Sequence, residues 1–310
     1  MHADIAQLHT EQRNAETCGI GQMDTLTMLE KMNTEDQSVA LKVRQALGQV
    51  AQAVELIVPR MRQGGRLVYV GAGTSGRLGY MDAAECAPTY GMPLDAVACV
   101  MAGGRAAVFC AQEGLEDDAE RGAADLRAWG LRPLDTVVAA AASGRTPYCV
   151  GALDYARSIG AGTVALACNP HSVMGRHAQV AIEVDTGSEV IMGSTRMKAG
   201  TAQKMVMNML STAVMVRLGR TYDNLMVCLH AKNEKISNRV IRLFNEATGA
   251  AGSGHAQEML ERAGGRLETA ILMERAGCSR EAAERALART IDFGAALRNA
   301  VEEEEYLASQ

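Results

Sequence analysis

Four times between residues 67 and 170 a short apolar run stops abruptly at glycine, serine or asparagine, and helix-compatible sequence separates each run from the next. The runs are Leu67-Val68-Tyr69-Val70, residues 94–101 closing on Gly103-Gly104, residues 135–142 closing on Ser143-Gly144, and residues 162–167 closing on Asn169-Pro170. Runs of this length without polar alternation read as strands buried on both faces, and strands alternating with helices specify a parallel sheet covered on either side. Residues 178–184 offer a fifth strand, and residues 195–218 a long methionine-rich helix with Gly200 inside it. The expected class is α/β, a doubly wound parallel sheet.

The flanks follow other rules. After a polar opening, a helical pattern begins near Asp24 with Leu26, Met28, Leu29 and Met32. Thr34-Glu35-Asp36 reads as a helix start, a Thr oxygen accepting from free amides with acids facing the positive end of the dipole. Residues 39–62 continue in helical period, with Leu41, Val43, Leu47, Val50, Val54 and Ile57 as core positions. Beyond Asn233 the strand–helix alternation stops, glycine pairs divide short Ala/Leu/Glu/Arg-rich helices, and Ser279 stands as an N-cap. The predicted organisation is an N-terminal helical arm over 1–50, a central domain over 51–235 and a C-terminal helical bundle over 236–310.

Composition narrows the function classes. Of 310 residues, 48% are hydrophobic and 22% charged, enough for a buried core, and a formal net charge of -5 gives no field to draw in nucleic acid or an anionic membrane surface. The arginines of the C-terminal helices alternate with Glu258, Glu261, Glu268, Glu274, Glu281 and Glu284, so they read as a solvated face. Eight cysteines without a C-x-x-C pair suit a reducing cytoplasm. The first 14 residues contain no apolar leader core, and no run approaches the roughly 18 residues of a spanning helix, so a soluble, unexported chain is expected. His2, His9, His171, His177, His230 and His255 lack metal-ligand spacing, there is no G-x-S-x-G elbow, and no metal or cofactor is expected. His177 reads as a surface or cap residue, and Met205, Met207, Met209 and Met215 as adaptable core packing.

The strongest chemical signal is Gly71-Ala72-Gly73-Thr74-Ser75-Gly76-Arg77, placed between a strand and a helix. Glycines permit the sharp turn, and the helix N-terminus adds amides and a favourable field for an anion. The letters also satisfy the G-x-G-x-x-G dinucleotide fingerprint, but the second strand ends in Met101-Ala102-Gly103-Gly104 without the acid that would hold a ribose. A second loop, Ala142-Ser143-Gly144-Arg145-Thr146-Pro147, again follows a strand and adds hydroxyls that match a phosphomonoester better than a pyrophosphate. Phosphate-ester binding, dinucleotide binding and plain structural turns all remain open at this level. Glu85 reads by pattern as a cap or loop residue. Glu113, Glu116 and Glu120 share one helical face by spacing and read as solvent-facing.

Several stretches together resemble the N-acetylmuramic acid 6-phosphate etherase family: residues 66–76, 82–91, 141–147 and 193–204, with Glu11-Gln12-Arg13-Asn14, residues 224–227 and residues 233–235. The resemblance implies a sugar isomerase (SIS) fold, which is a flavodoxin-like five-stranded parallel sheet. It also implies a C-terminal bundle like ubiquitin-associated domains, and a homodimer whose active site lies at the interface. It implies cleavage of the D-lactyl ether of N-acetylmuramic acid 6-phosphate by water, giving N-acetylglucosamine 6-phosphate and D-lactate in cell-wall recycling. Glu85, in Asp82-Ala83-Ala84-Glu85-Cys86-Ala87-Pro88, matches the family's proton donor, although two neighbours differ from the family's D-A-S-E-C-P-P. Glu116, in Glu113-Gly114-Leu115-Glu116-Asp117, matches its second catalytic glutamate, where the family carries E-G-A-E-D.

Two carboxylates suit that reaction. In the open-chain sugar the ether oxygen is β to an aldehyde, so removal of the C2 proton lets lactate leave from C3, and water then adds. Glu85 is expected as acid and Glu116 as base, with the phosphate held by Gly73, Thr74, Ser75, Ser143, Gly144 and Thr146. Lys198 either neutralises substrate charge or organises the start of its helix. The competing expectations are a sugar-phosphate isomerase and a non-catalytic sensor resembling the glucokinase regulatory protein.

Overall fold

In the computed structural model the described residues are 5–110, 112, 114–229, 234–250 and 252–309. His2, Glu113, His230 and Asn233 lie outside them. The chain divides into two compact units, one of Met1–Ala84 with Leu94–Thr212, the other of Glu85–Pro93 with Ala213–Gln310.

In the first unit, short 3-10 turns lead into α1 (Thr25–Gln45) and α2 (Leu47–Arg62). There follow β1 (Leu67–Gly71), α3 (Gly73–Tyr90), β2 (Val97–Met101), α4 (Gly104–Phe109), α5 (Ala119–Trp129), β3 (Thr136–Ala141), α6 (Pro147–Ser158), β4 (Gly162–Ala167), α7 (Val173–His177), β5 (Val180–Glu183) and α8 (Lys198–Arg217). α3 and α8 run on into the second unit. All five strands pair in parallel in the order β2-β1-β3-β4-β5, the flavodoxin-like arrangement. Every residue of β1, β3 and β4 is buried, as unalternating apolar strands require. The order reverses direction between β1 and β3, so a crevice opens beyond their carboxyl ends, where open α/β sheets bind ligands.

Several expectations are corrected here. β2 begins at Val97, where pairing with Leu67 begins, and Leu94 is exposed. Thr34 starts no helix: α1 is continuous, its cap is Asp24, which accepts from the Thr27 amide, and the Thr34 hydroxyl donates back to the Glu30 carbonyl. Val43, Val50, Val54 and Ile57 are buried as expected, but Leu41 is 63% and Leu47 44% exposed. In this region the inward positions are filled by Val39, Val43 and Ala46 instead. Met207 and Met215 pack in the core of α8, and His177 is half-buried with Nδ1 2.7 Å from Asp154 Oδ1.

One buried charge fastens the base of the sheet. Asp135, wholly buried, accepts from the Arg66 amide at 2.9 Å, the Arg66 guanidinium at 2.7 Å and the Arg132 amide at 2.8 Å. Burial alone would raise this carboxyl, but the Arg66 hydrogen bonds and the Arg132 amide outweigh it and hold it below the ordinary aspartate value. Its stabilising contribution is therefore complete at neutral pH and disappears as the pH falls through the depressed value. Asp135→Asn should cost about 3 kcal/mol, because the Arg66 guanidinium, only 14% exposed, loses its charged partner. Thermal melts from pH 7 to 3 should show the variant losing less stability on acidification than the parent, and parallel curves would remove this account.

Besides the ends of α3 and α8, the described residues of the second unit form a small antiparallel hairpin, Thr221–Tyr222 with Leu225–Met226, and α9 (Glu234–Thr248), α10 (Ser253–Arg262), α11 (Leu267–Ala276), α12 (Arg280–Arg289) and α13 (Phe293–Ala308). Phe244, Leu272, Ala283 and Phe293 lie in its core, and Tyr222 meets Phe293 edge to face at 5.5 Å. Ser279 caps α12 by accepting from the Ala282 amide. Arg220 donates to the carbonyls of Tyr90 and Gly91, fastening residues 85–93 into this unit. No helix of the described residues is long and apolar enough to cross a membrane.

Candidate active site

The two glycine-bearing loops emerge side by side because β1 and β3 are sheet neighbours. After β1, Gly73 takes φ +53 and opens α3, so the first-turn amides at Thr74 and Ser75 have no partner within the helix. After β3, Gly144 takes φ +68, and Pro147 opens α6 at a position where a missing N–H is harmless. Ser143 Oγ accepts from the Arg145 amide at 3.3 Å, and the Gly144 carbonyl accepts from the Met174 amide at 2.9 Å, which sets the shape of the turn. Two helix N-termini thus open on one cavity, an arrangement that favours a dianion.

A cavity of about 690 Å³ occupies this end of the first unit. Gly73, Thr74, Ser75, Ser143 and Thr146 all line it, as does Glu116. Gly144 does not; it shapes the loop from behind. A Cβ there would stand 2.5 Å from Ser172 Cβ and 2.8 Å from Ala167 Cβ, besides needing a left-handed backbone. Gly144→Ala should therefore weaken binding of a sugar 6-phosphate at least tenfold by titration calorimetry. Unchanged affinity would mean that the loop holds no phosphate. The Ser75 hydroxyl is directed elsewhere, donating to Gln203 Oε1 on α8 at 2.8 Å, which leaves its amide for a ligand.

Glu116 does not sit on the solvent-facing helix that spacing predicted. Gly114 takes φ +80, residues 115–117 form a single 3-10 turn, and Asp118 caps α5 by accepting from the Arg121 amide. The break turns Glu116, half-buried, toward the cavity. Glu85 is no cap or loop residue: it lies within α3, twelve residues after Gly73, exposed, in the part of the helix that belongs to the second unit. It is absent from the cavity lining. Lys198 does not line the cavity either. It is buried and pairs with Glu35 of α1, while its amide and that of Ala199 donate to Glu189 at 2.9 and 3.0 Å. Glu189 is fully buried, and that burial holds its carboxyl above the ordinary glutamate value despite the two amides. These contacts organise the start of α8.

Sequence reasoning passed over three lining residues. Glu11 reaches the cavity because its 3-10 turn is anchored: Asn169 accepts from the Thr10 amide and donates from Nδ2 to Thr10 Oγ1 and to the Ala142 carbonyl beside Ser143. Arg77 donates from Nε and Nη2 to the carbonyls of Val108 and Ala107, fastening α4. Arg145 lines the cavity with Nη1 buried and unpartnered among the described residues. The signal for Glu11 and Arg145 is their place inside the stretches 11–14 and 141–147. No cluster of His, Cys, Asp or Glu among the described residues could hold a metal ion.

A parallel sheet of this order with two glycine-bearing loops at its switch point is the arrangement that a SIS domain has. Residues 128–213 match the SIS domain, and residues 49–157 match the N-terminal SIS domain of glucokinase regulatory protein. N-acetylmuramic acid 6-phosphate etherases are similar over almost the whole chain. The one from Mycolicibacterium smegmatis is 51% identical, with 96% of this chain and 99% of that protein covered. The one from Symbiobacterium thermophilum is 54% identical over 88% and 91%, and the one from Halalkalibacterium halodurans 50% identical over 96% and 99%. The chain belongs to the N-acetylmuramic acid 6-phosphate etherase family.

Proposed function

We propose that this protein cleaves the D-lactyl ether of N-acetylmuramic acid 6-phosphate, with water, to N-acetylglucosamine 6-phosphate and D-lactate. The observation that carries the reading is a half-buried carboxylate, Glu116, in the same cavity as a two-loop anion cradle, in a chain about half identical to etherases from end to end. The amides at Thr74 and Ser75, with the hydroxyls of Thr74, Ser143 and Thr146, take the phosphate. That remote grip orients C2 and C3, converting binding energy into alignment. Glu116 removes the C2 proton of the open-chain sugar, the C2–H electrons form the C2–C3 double bond, and the C3–O bond breaks. Glu85 protonates the departing lactate oxygen. Water then adds at C3 and a proton returns to C2, so the net change is one water consumed and one ether bond broken.

Glu85 comes to the cavity from a second copy of the chain. What supports this is its exposure and its absence from the lining of its own chain's cavity, together with exposed leucines at positions 26, 29, 41 and 47 of α1 and α2, apolar surface that a homodimer would cover. Eight cysteines, all free thiols, suit a reducing cytoplasm, where wall fragments are recycled. The direct test is incubation with N-acetylmuramic acid 6-phosphate and enzymatic assay of D-lactate. Stoichiometric release is expected, whereas tight binding with no lactate would make the protein a sensor instead.

A further inference from the structure

We propose that Arg145 binds the lactyl carboxylate, making this the residue that selects the 3-O-lactyl sugar over the plain sugar phosphate. The inference rests on the etherase reading and adds a second anion subsite to it. The substrate carries two anions, a phosphate on C6 and a carboxylate on the lactyl group at C3. The amides and hydroxyls of the two loops account for the first. The second would enter a cavity already lined by Glu11, Glu116 and Asp117, and without a cation it would be repelled.

Among the described residues two arginines line that cavity. Arg77 has committed Nε and Nη2 to the carbonyls of Val108 and Ala107, so its guanidinium is a strut. Arg145 is half-buried, and its Nη1 is shielded from water with no hydrogen-bond partner among the described residues. Nη1 is closed to solvent as the side chain stands, so the guanidinium has to turn toward the cavity to be used; an unmade bond on a charged donor is costly, and a carboxylate is the acceptor whose geometry fits the guanidinium fork. Such a contact also neutralises the group beside the breaking bond. The base, Glu116, then faces a C2 proton next to a paired carboxylate rather than a bare one. Once lactate departs, the partner of Arg145 departs with it, so N-acetylglucosamine 6-phosphate does not depend on this residue.

Arg145→Gln and Arg145→Lys separate the possibilities. For Arg145→Gln, kcat/KM for lactate release should fall about 100-fold, while the Kd for N-acetylglucosamine 6-phosphate, by calorimetry, stays within about twofold of the parent. Arg145→Lys, which keeps charge but not the fork, should fall between. A parallel loss of N-acetylglucosamine 6-phosphate affinity would overturn the proposal by placing the guanidinium on the phosphate, and so would normal turnover of Arg145→Gln. Should Arg145→Gln lose its melting transition, the Lys variant decides on the same two readouts. Failure of the parent protein itself to release lactate would sink the etherase reading, whereas an active parent with an indifferent Arg145 sinks only this inference.

Discussion

Glu116→Gln should release D-lactate about 10²- to 10⁴-fold more slowly than the parent protein, with affinity for N-acetylglucosamine 6-phosphate nearly unchanged. Glutamine keeps the volume of the side chain at the cavity wall and loses only the ability to take a proton, so the two loops proposed to hold the phosphate are undisturbed. Glu85→Gln should be suppressed to a similar degree through a different step. Solvent deuterium distinguishes the two. A protein lacking the base should not exchange the C2 hydrogen of N-acetylglucosamine 6-phosphate, whereas one lacking only the acid should still exchange it. Near-normal turnover of both variants would remove the two-carboxylate mechanism, and exchange surviving in Glu116→Gln would reassign the base.

The parts of the fold legible in the sequence are those set by local rules. β1 and β4 are recognisable because a strand buried on both faces can only be a continuous apolar run, and the bounds of β4 coincide with residues 162–167. β2 is three residues shorter than its apolar run, since hydrophobicity at Leu94 says nothing of where pairing with β1 starts. Leu41 and Leu47 match a core pattern yet stand exposed, because helical period identifies an apolar face without saying what covers it. On the proposed dimer that face is an interface.

At the site the same division holds. Glycines and hydroxyls at strand ends announce an anion loop, since backbone freedom and free amides are local properties. Glu116 was hidden by its own spacing: i, i+3 and i+7 describe a helix face only if the helix exists, and Gly114 with the Asp118 cap ends it. Arg145 was invisible for another reason. Whether a guanidinium nitrogen is paired or orphaned depends on groups distant in sequence, and only the folded chain shows that Nη1 has none among the described residues. Lys198 illustrates the converse, a cation beside a suggestive motif whose partner, Glu35, lies on α1 far earlier in the chain.

The account as a whole requires that each cavity take Glu116 from its own chain and Glu85 from a neighbour, and subunit mixing asks this directly. Glu85→Gln and Glu116→Gln, carrying different affinity tags, are co-expressed, and dimers bearing both tags are isolated alongside the unsorted mixture. A mixed dimer then holds one doubly altered site and one untouched site, so random pairing should restore about a quarter of the parent activity per chain, and the doubly tagged fraction about half. Doubly tagged dimers as inactive as either variant alone would contradict the account, because every site would then draw both carboxylates from one chain.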